Sequence, residues 1–254
     1  LGDVYKRQGK YLFEFIITKH KKGYFLECEK KMIDELYIKL NSYKFRSKVE
    51  ILNLSNEFVV AVLSREKFLT LENSKDVLGY TTKFREDPIY LDPRHKDLGA
   101  RLITNLEKLH LSLKLLELKS SNLDEYYSVS NKLGIPQINT DKLQNNLFGI
   151  ECNLNELNGI DFKKGCYVGQ ENTARIKLKD KLSKRLFPVE VIEGDLSKDN
   201  IIHHENTELG KVLINNKFPF AIVKFKDKNF KFEKIFKCGS ASVKIKKPYW
   251  FKFD

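Results

Sequence analysis

The 254-residue chain reads as an α+β protein that closes with a small all-β barrel. Two observations predict this. Over residues 9–63 the apolar pattern runs strand, strand, helix, strand, strand, which is not the alternating order of a wound parallel sheet. From Leu186 onward short alternating runs at 187–192, 209–214, 221–225, 235–238 and 243–246 are separated by Gly194, Gly239 or polar pairs, the pattern of a small barrel or sandwich. The change of character divides the chain into an α+β region at 1–183 and a barrel domain at 184–254.

In chain order, residues 9–19 are apolar and aromatic-rich and suit a buried strand. Lys21-Lys22-Gly23 is a short turn into a second strand at 24–28. Residues 30–43 place Met32, Ile33, Leu36 and Leu40 at helical intervals, with Glu35 and Lys39 as an i,i+4 pair. Residues 49–54 and 57–63 read as strands parted by Ser55-Asn56. Gly79, Pro88 and Pro93 break 76–96 into turns and short strands. The Leu-dense segment 102–118 holds one helix. A second helix at 121–133 starts at Ser121 or Asn122 and stops at Gly134, before Ile135-Pro136. Residues 145–161 are irregular, and a basic helix covers 170–181.

Composition narrows the class. Hydrophobic residues make up 41% and charged residues 31%, ordinary for a globular chain, and no apolar run has the roughly 20 residues that span a bilayer. Forty-six basic residues against 34 acidic ones give +12, which attracts polyanions in general. The lysines are dispersed among Asp and Glu, so the charge implies a solvated surface or a polyanionic small molecule, with only weak nucleic-acid binding. Cys28, Cys152, Cys166 and Cys238 stand too far apart for a metal-binding spacing or a dense disulfide scaffold. With no signal-peptide pattern at the start, the expected compartment is the cytoplasm.

Leu1 to Gln8 lead into no pattern of their own and read as a non-native leader, to be set aside in fold reasoning. A true N-terminal segment is expected to be missing.

The chemistry concentrates in 161–175, where two glycines, a cysteine, an aromatic residue, an amide and a carboxylate precede a helix. Gly165 and Gly169 permit backbone conformations or close approaches that a Cβ would block. Cys166 lies just upstream of the positive end of a helix, flanked by Lys163 and Lys164, and both effects favour the reactive thiolate. The bland alternative is a small buried hydrophobe.

Lys164-Gly165-Cys166-Tyr167-Val168-Gly169-Gln170-Glu171 strongly resembles the signature of the YgfZ family of folate-binding proteins. These are relatives of the glycine-cleavage aminomethyltransferase that support maturation of iron–sulfur enzymes. Further stretches fall in the expected order: Gln8-Gly9-Lys10-Tyr11-Leu12, the 43–49 helix exit, Asp92-Pro93-Arg94, Leu98-Gly99-Ala100-Arg101, Gly134-Ile135-Pro136, Lys184-Arg185-Leu186, Leu209-Gly210-Lys211-Val212 and Pro248-Tyr249-Trp250. The chain departs from the family in lacking the strand–helix segment that precedes the Gln-Gly-Lys stretch.

The resemblance implies an aminomethyltransferase-like fold, a tetrahydrofolate site, and a role in assembly or repair of iron–sulfur clusters without classical turnover. Glu151 stands where the family carries a pterin-binding glutamate, and a carboxylate can accept the pterin amino group and ring N–H as a pair. Lys164, Gly165, Tyr167, Gln170, Glu171 and Arg175 complete the implied cofactor site. Arg175 either meets the folate glutamate tail or pairs with Glu171, and Tyr167 either packs on the ligand or fills the core. Arg94 and Arg101 are weaker candidates that fit fold-stabilising ion pairs. Cys166 is the implied catalytic thiolate and a shared ligand of a transient iron–sulfur cluster; clusters want four ligands, so scaffold or client proteins would supply the rest. The implied partners are therefore folate and iron–sulfur proteins, with no membrane. The alternatives are a folate-dependent aminomethyl or one-carbon transferase and charge-driven RNA association. On a strand His203 and His204 would face opposite sides, which argues against a shared metal.

Overall fold

A computed structural model describes residues 2–5, 9–165, 167–178, 182–196 and 200–252, with the side chains of 2–4 left aside. By contact density the chain forms two compact units, one of residues 1–3, 13–123 and 157–159, the other of 4–12, 124–156 and 160–254. The 184–254 tail thus shares its unit with segments from earlier in the chain.

Strand β1 (Gly2–Tyr5) is followed by β2 (Tyr11–His20). In the first unit, β2 pairs antiparallel with β3 (Gly23–Glu27), Ile16 opposite Glu27 and His20 opposite Gly23. Helix α1 (Ile33–Tyr43) follows a 3-10 turn at Lys30–Met32 and buries Met32 and Leu36, two of the four apolar positions that predicted it. A four-stranded antiparallel sheet comes next, in the order β4 (Phe58–Leu63), β7 (Ala100–Asn105), β6 (Asp87–Leu91), β5 (Thr81–Phe84). Between β4 and β5 lies α2 (Arg65–Leu69), whose N-cap Ser64 accepts a hydrogen bond from the Lys67 N–H.

One expectation fails in this unit, and another holds over a shorter span. Residues 49–54 form no strand: Val49 and Leu52 are exposed, and the run ends in a turn where the N–H groups of Glu57 and Phe58 both donate to the Leu54 carbonyl. Apolar composition alone does not supply a ladder partner. The segment 102–118 does hold one helix, but it is not helical throughout. Its start belongs to β7, and α3 covers only Leu106–Leu115. The Asn105 side chain accepts from the Lys108 N–H and caps α3 at the junction. β7 is central and buried along nearly its whole length, so it carries no alternation to betray it.

In the second unit six antiparallel strands close a barrel in the order β10-β11-β8-β13-β12-β9. They are β8 (Arg185–Glu193), β9 (Ile201–His204), β10 (Thr207–Ile214), β11 (Phe220–Val223), β12 (Ile235–Cys238) and β13 (Ala241–Ile245). β9 went unread because Ile-Ile-His-His has no alternation. At the barrel's centre Phe187 meets the rings of Phe225, Phe232 and Phe251 edge-on, the geometry aromatic quadrupoles favour. The same core takes in Ile150 and Leu182, with Phe148, Ile160, Phe162 and Ile176 packed against it. Those residues carry the expected site region into the barrel's unit. Helices α4 (Leu123–Lys132) and α5 (Gln170–Leu178) also contribute to it, and the Trp250 indole N–H donates to the Leu133 carbonyl at 2.7 Å.

Candidate functional site

Cys166, the expected thiolate, lies outside the described residues. Its neighbours define the frame. Gly169 holds φ +84°, where a side chain would strain the backbone, and its carbonyl accepts from the Thr173 hydroxyl at 3.2 Å and the Thr173 N–H at 3.4 Å, opening α5. The helix therefore starts one residue after the motif's second glycine. Lys164 reaches over the Tyr167 ring, 4.5 Å from its centroid. A Cβ on Gly165 would meet nothing within 4 Å, so among the described residues beyond its neighbours there is no close approach there.

Glu151 sits in the turn that follows Phe148. One carboxylate oxygen accepts from the Phe148 N–H at 2.8 Å, and the Glu151 carbonyl accepts from the Leu186 N–H at 2.9 Å, tying the turn to the start of β8. The other oxygen has no hydrogen-bond partner among the described residues. Burial raises the carboxyl's pKa above its ordinary value, against the opposing pull of the Phe148 N–H and of the Lys10 and Lys184 charges. Such a group keeps unused acceptor capacity in a partly dehydrated place, where a paired donor has most to gain.

The segment set aside as a leader links the two regions. Tyr5 is buried. Its ring lies 6.4 Å from that of Tyr167, tilted by 33°, and its hydroxyl occupies the space a Cβ on Gly149 would need. Gly9, at φ +79°, lets the backbone pass the Gly169 carbonyl, which a Cβ would meet at 3.0 Å. Lys10 lies 4.0 Å over the Phe148 ring and donates to the Asn146 carbonyl. Tyr5, Gly9 and Lys10 between them therefore touch both the Glu151 turn and the motif loop. Composition could not reveal this.

The remaining candidates are less central. Glu171 and Arg175 pair with each other at 2.6 Å on the exposed face of α5, which takes up the arginine's charge where screening is strong. Gln170 donates its backbone N–H to the Tyr167 carbonyl. In the other unit Arg94 and Arg101 are buried in an ionic network: Arg94 contacts Asp92 and Glu14, and Arg101 contacts Asp92 and Glu27. That network also takes in the Tyr90 hydroxyl, which donates to Glu27, and it fits the fold-stabilising role. His203 and His204 lie on β9, and His204 meets the Lys234 ammonium. Burial, reinforced by Glu27 and Glu29, pushes the Cys28 thiol up to about 12, which keeps it a poor nucleophile. Cys152 and Cys238 are buried. Among the described residues no three His, Cys, Asp or Glu side chains cluster as a metal site, and no helix is long and apolar enough to cross a membrane.

Comparison with known proteins finds relatives of the chain. No family model matches the chain. It is 28% identical over 181 residues to the iron-sulfur cluster assembly factor IBA57 homolog, mitochondrial, of Dictyostelium discoideum, covering 71% of this chain and 44% of that protein. To the mitochondrial iron-sulfur cluster assembly factor IBA57 of Mus musculus it is 31% identical over 202 residues, covering 76% and 54%. To the human protein of that name it is 30% identical over 192 residues, covering 73% and 52%. The chain spans about half the length of these curated relatives. Among solved structures, the glycine cleavage system aminomethyltransferase T from Bartonella henselae matches with a TM-score of 0.72 at 10% identity, over 98% of this chain and 74% of that one. The fold is accordingly aminomethyltransferase-like, α+β with a closed C-terminal barrel.

Proposed function

We propose that the chain is a tetrahydrofolate-binding factor that supports the assembly or repair of iron–sulfur clusters in client enzymes. The assembly role draws on the relatives, which are named for that work. The folate role draws on one observation above the rest: Glu151 keeps an unused carboxylate oxygen in a half-buried turn of the same unit as the motif loop.

This carboxylate fits the donor edge of a pterin. Its occupied oxygen is fixed by the Phe148 N–H, and the other can accept from the ring amide or amino group, where ionic acceptors form the stronger bonds. Lys10 and Lys184 favour the ionised form that accepts. Tyr167 presents its ring beside Lys164 and can pack on the cofactor. Glu171 and Arg175 neutralise one another, so they stand behind Glu151 as folate contacts, with Gly165 and Gln170. Tetrahydrofolate, when bound, supplies a reduced pteridine whose nitrogens carry one-carbon units.

The cluster is cargo in this account. Cys166 offers one thiolate, and scaffold or client proteins supply the remaining ligands. The relatives are mitochondrial by name, so that compartment joins the cytoplasm expected from the residues alone. A transferase activity has support only from the fold, which does not determine chemistry. The test is equilibrium binding of tetrahydrofolate to the wild type and to Glu151→Gln. A drop in affinity of about tenfold or more is expected for losing an ionic acceptor, and unchanged affinity would remove Glu151 from the site.

A further inference from the structure

A cavity of about 800 Å³ lies in the barrel's unit, walled by α4, by β8 and by the chain at 215–219 and 246–249. Its size is that of a small-molecule site. Side-chain bonds brace its walls: the Asn131 amide donates to the Pro219 carbonyl at 3.4 Å, and the Asn215 amide to the Leu196 carbonyl at 3.2 Å. Tyr127 and Phe218 meet edge-on at 6.1 Å beside it.

The lining is amphipathic. Val191, Leu196, Pro219 and Tyr249 supply an apolar surface, and Tyr249 is 64% exposed. Four lysines line it against two carboxylates, Glu190 and Asp195. Two of the lysines are already engaged, Lys246 by Glu190 and Glu233 and Lys217 by Asp124. Lys132 and Lys247 have no ion-pair partner among the described residues, and Lys247 only faces the Phe232 ring at 5.7 Å. Lys132 also suits the last turn of α4, but a helix end does not require the second ammonium. A third feature is the Asn216 side-chain NH2, buried without a hydrogen-bond partner among the described residues while its oxygen accepts from the Phe218 N–H. Buried donors are normally satisfied, and this residue lines the cavity.

We propose that this cavity binds a phosphate-bearing small molecule, with Lys132 and Lys247 meeting the anion, Asn216 donating to one of its oxygens, and the apolar wall receiving any attached ring. Nucleotides and free polyphosphates share this chemistry. Neither Glu151 nor Cys166 takes part, so the inference stands apart from the folate reading.

The test is calorimetric titration of the chain with pyrophosphate and with ADP. Lys132→Gln/Lys247→Gln is compared with Lys22→Gln/Lys30→Gln, which removes two exposed charges elsewhere. Losing charge-assisted bonds should weaken both probes by about tenfold or more in the first variant and leave the second near wild type. Asn216→Asp keeps the acceptor for Phe218, places a negative charge in the wall, and should abolish binding in a protein whose melting remains cooperative. Tighter binding of ADP than of pyrophosphate identifies a nucleotide; equal binding identifies the phosphate group alone. Binding weaker than millimolar for both probes, or equal losses in the two double variants, would overturn the proposal.

Discussion

The Tyr5 hydroxyl stands where a Cβ on Gly149 would have to be. Through this contact a strand from the start of the chain fixes the turn that carries Glu151, while the same ring neighbours Tyr167. Gly149→Ala must therefore displace Tyr5 or the turn, and overpacking of this kind costs about 1–3 kcal/mol. In a Tyr5→Ala background the same substitution should cost less than about 0.5 kcal/mol, because its steric partner is gone. Urea denaturation of the four proteins measures the coupling, and additive costs would show that the contact carries no energy.

Glu151→Gln should separate stability from binding. Burial holds the Glu151 carboxyl above its ordinary 4.5. A raised folded-state pKa contributes stability that is present below the unfolded value and lost as pH rises through the folded one. The glutamine, which can still accept from Phe148, escapes that loss. Relative to wild type it should gain stability as pH climbs above about 4.5 while its tetrahydrofolate affinity falls. Wild-type folate affinity should itself increase over that window, since the ionised form is the acceptor. Denaturation midpoints and binding constants measured from pH 4.5 to 8 check both trends.

Asp92 makes the opposite prediction. Burial pushes its carboxyl up, yet Arg94 and Arg101 together hold it below its ordinary 3.8. Its contribution is present above that value and lost as pH falls through the lowered one. Asp92→Asn at pH 7 leaves two buried guanidiniums short of a partner and should cost about 3–5 kcal/mol. The gap to wild type should narrow below pH 3.8. A gap independent of pH would show that the network's charge does not matter.

Much of this was legible in the sequence, and the exceptions have definite causes. The hairpin at β2 and β3 and most of the closing strands were readable because short apolar or alternating runs are set off by turn residues such as Gly23, Gly194 and Gly239. β7 was not, since burial on both faces erases the alternation that separates a strand from a Leu-rich helix. The 49–54 run failed for the reverse reason, an apolar sequence left without a ladder. At the site, Glu151 and the motif were found through resemblance, whereas the part played by Tyr5 and Lys10 depends on contacts with Gly149 and Phe148, far away in the chain, that no local pattern encodes. Arg94 and Arg101 matched their ion-pair expectation because each had a carboxylate nearby in sequence or on a paired strand.

In the proposed function one chain joins a folate site at Glu151 to a cluster-handling thiolate at Cys166. The most direct measurement titrates tetrahydrofolate and a two-iron cluster donor against wild type and Cys166→Ser, reading folate affinity and cluster uptake in the same samples. Folate affinity should be unchanged in Cys166→Ser, and cluster transfer to a client enzyme should be lost. A serine variant that supports transfer as well as wild type would contradict the proposed function.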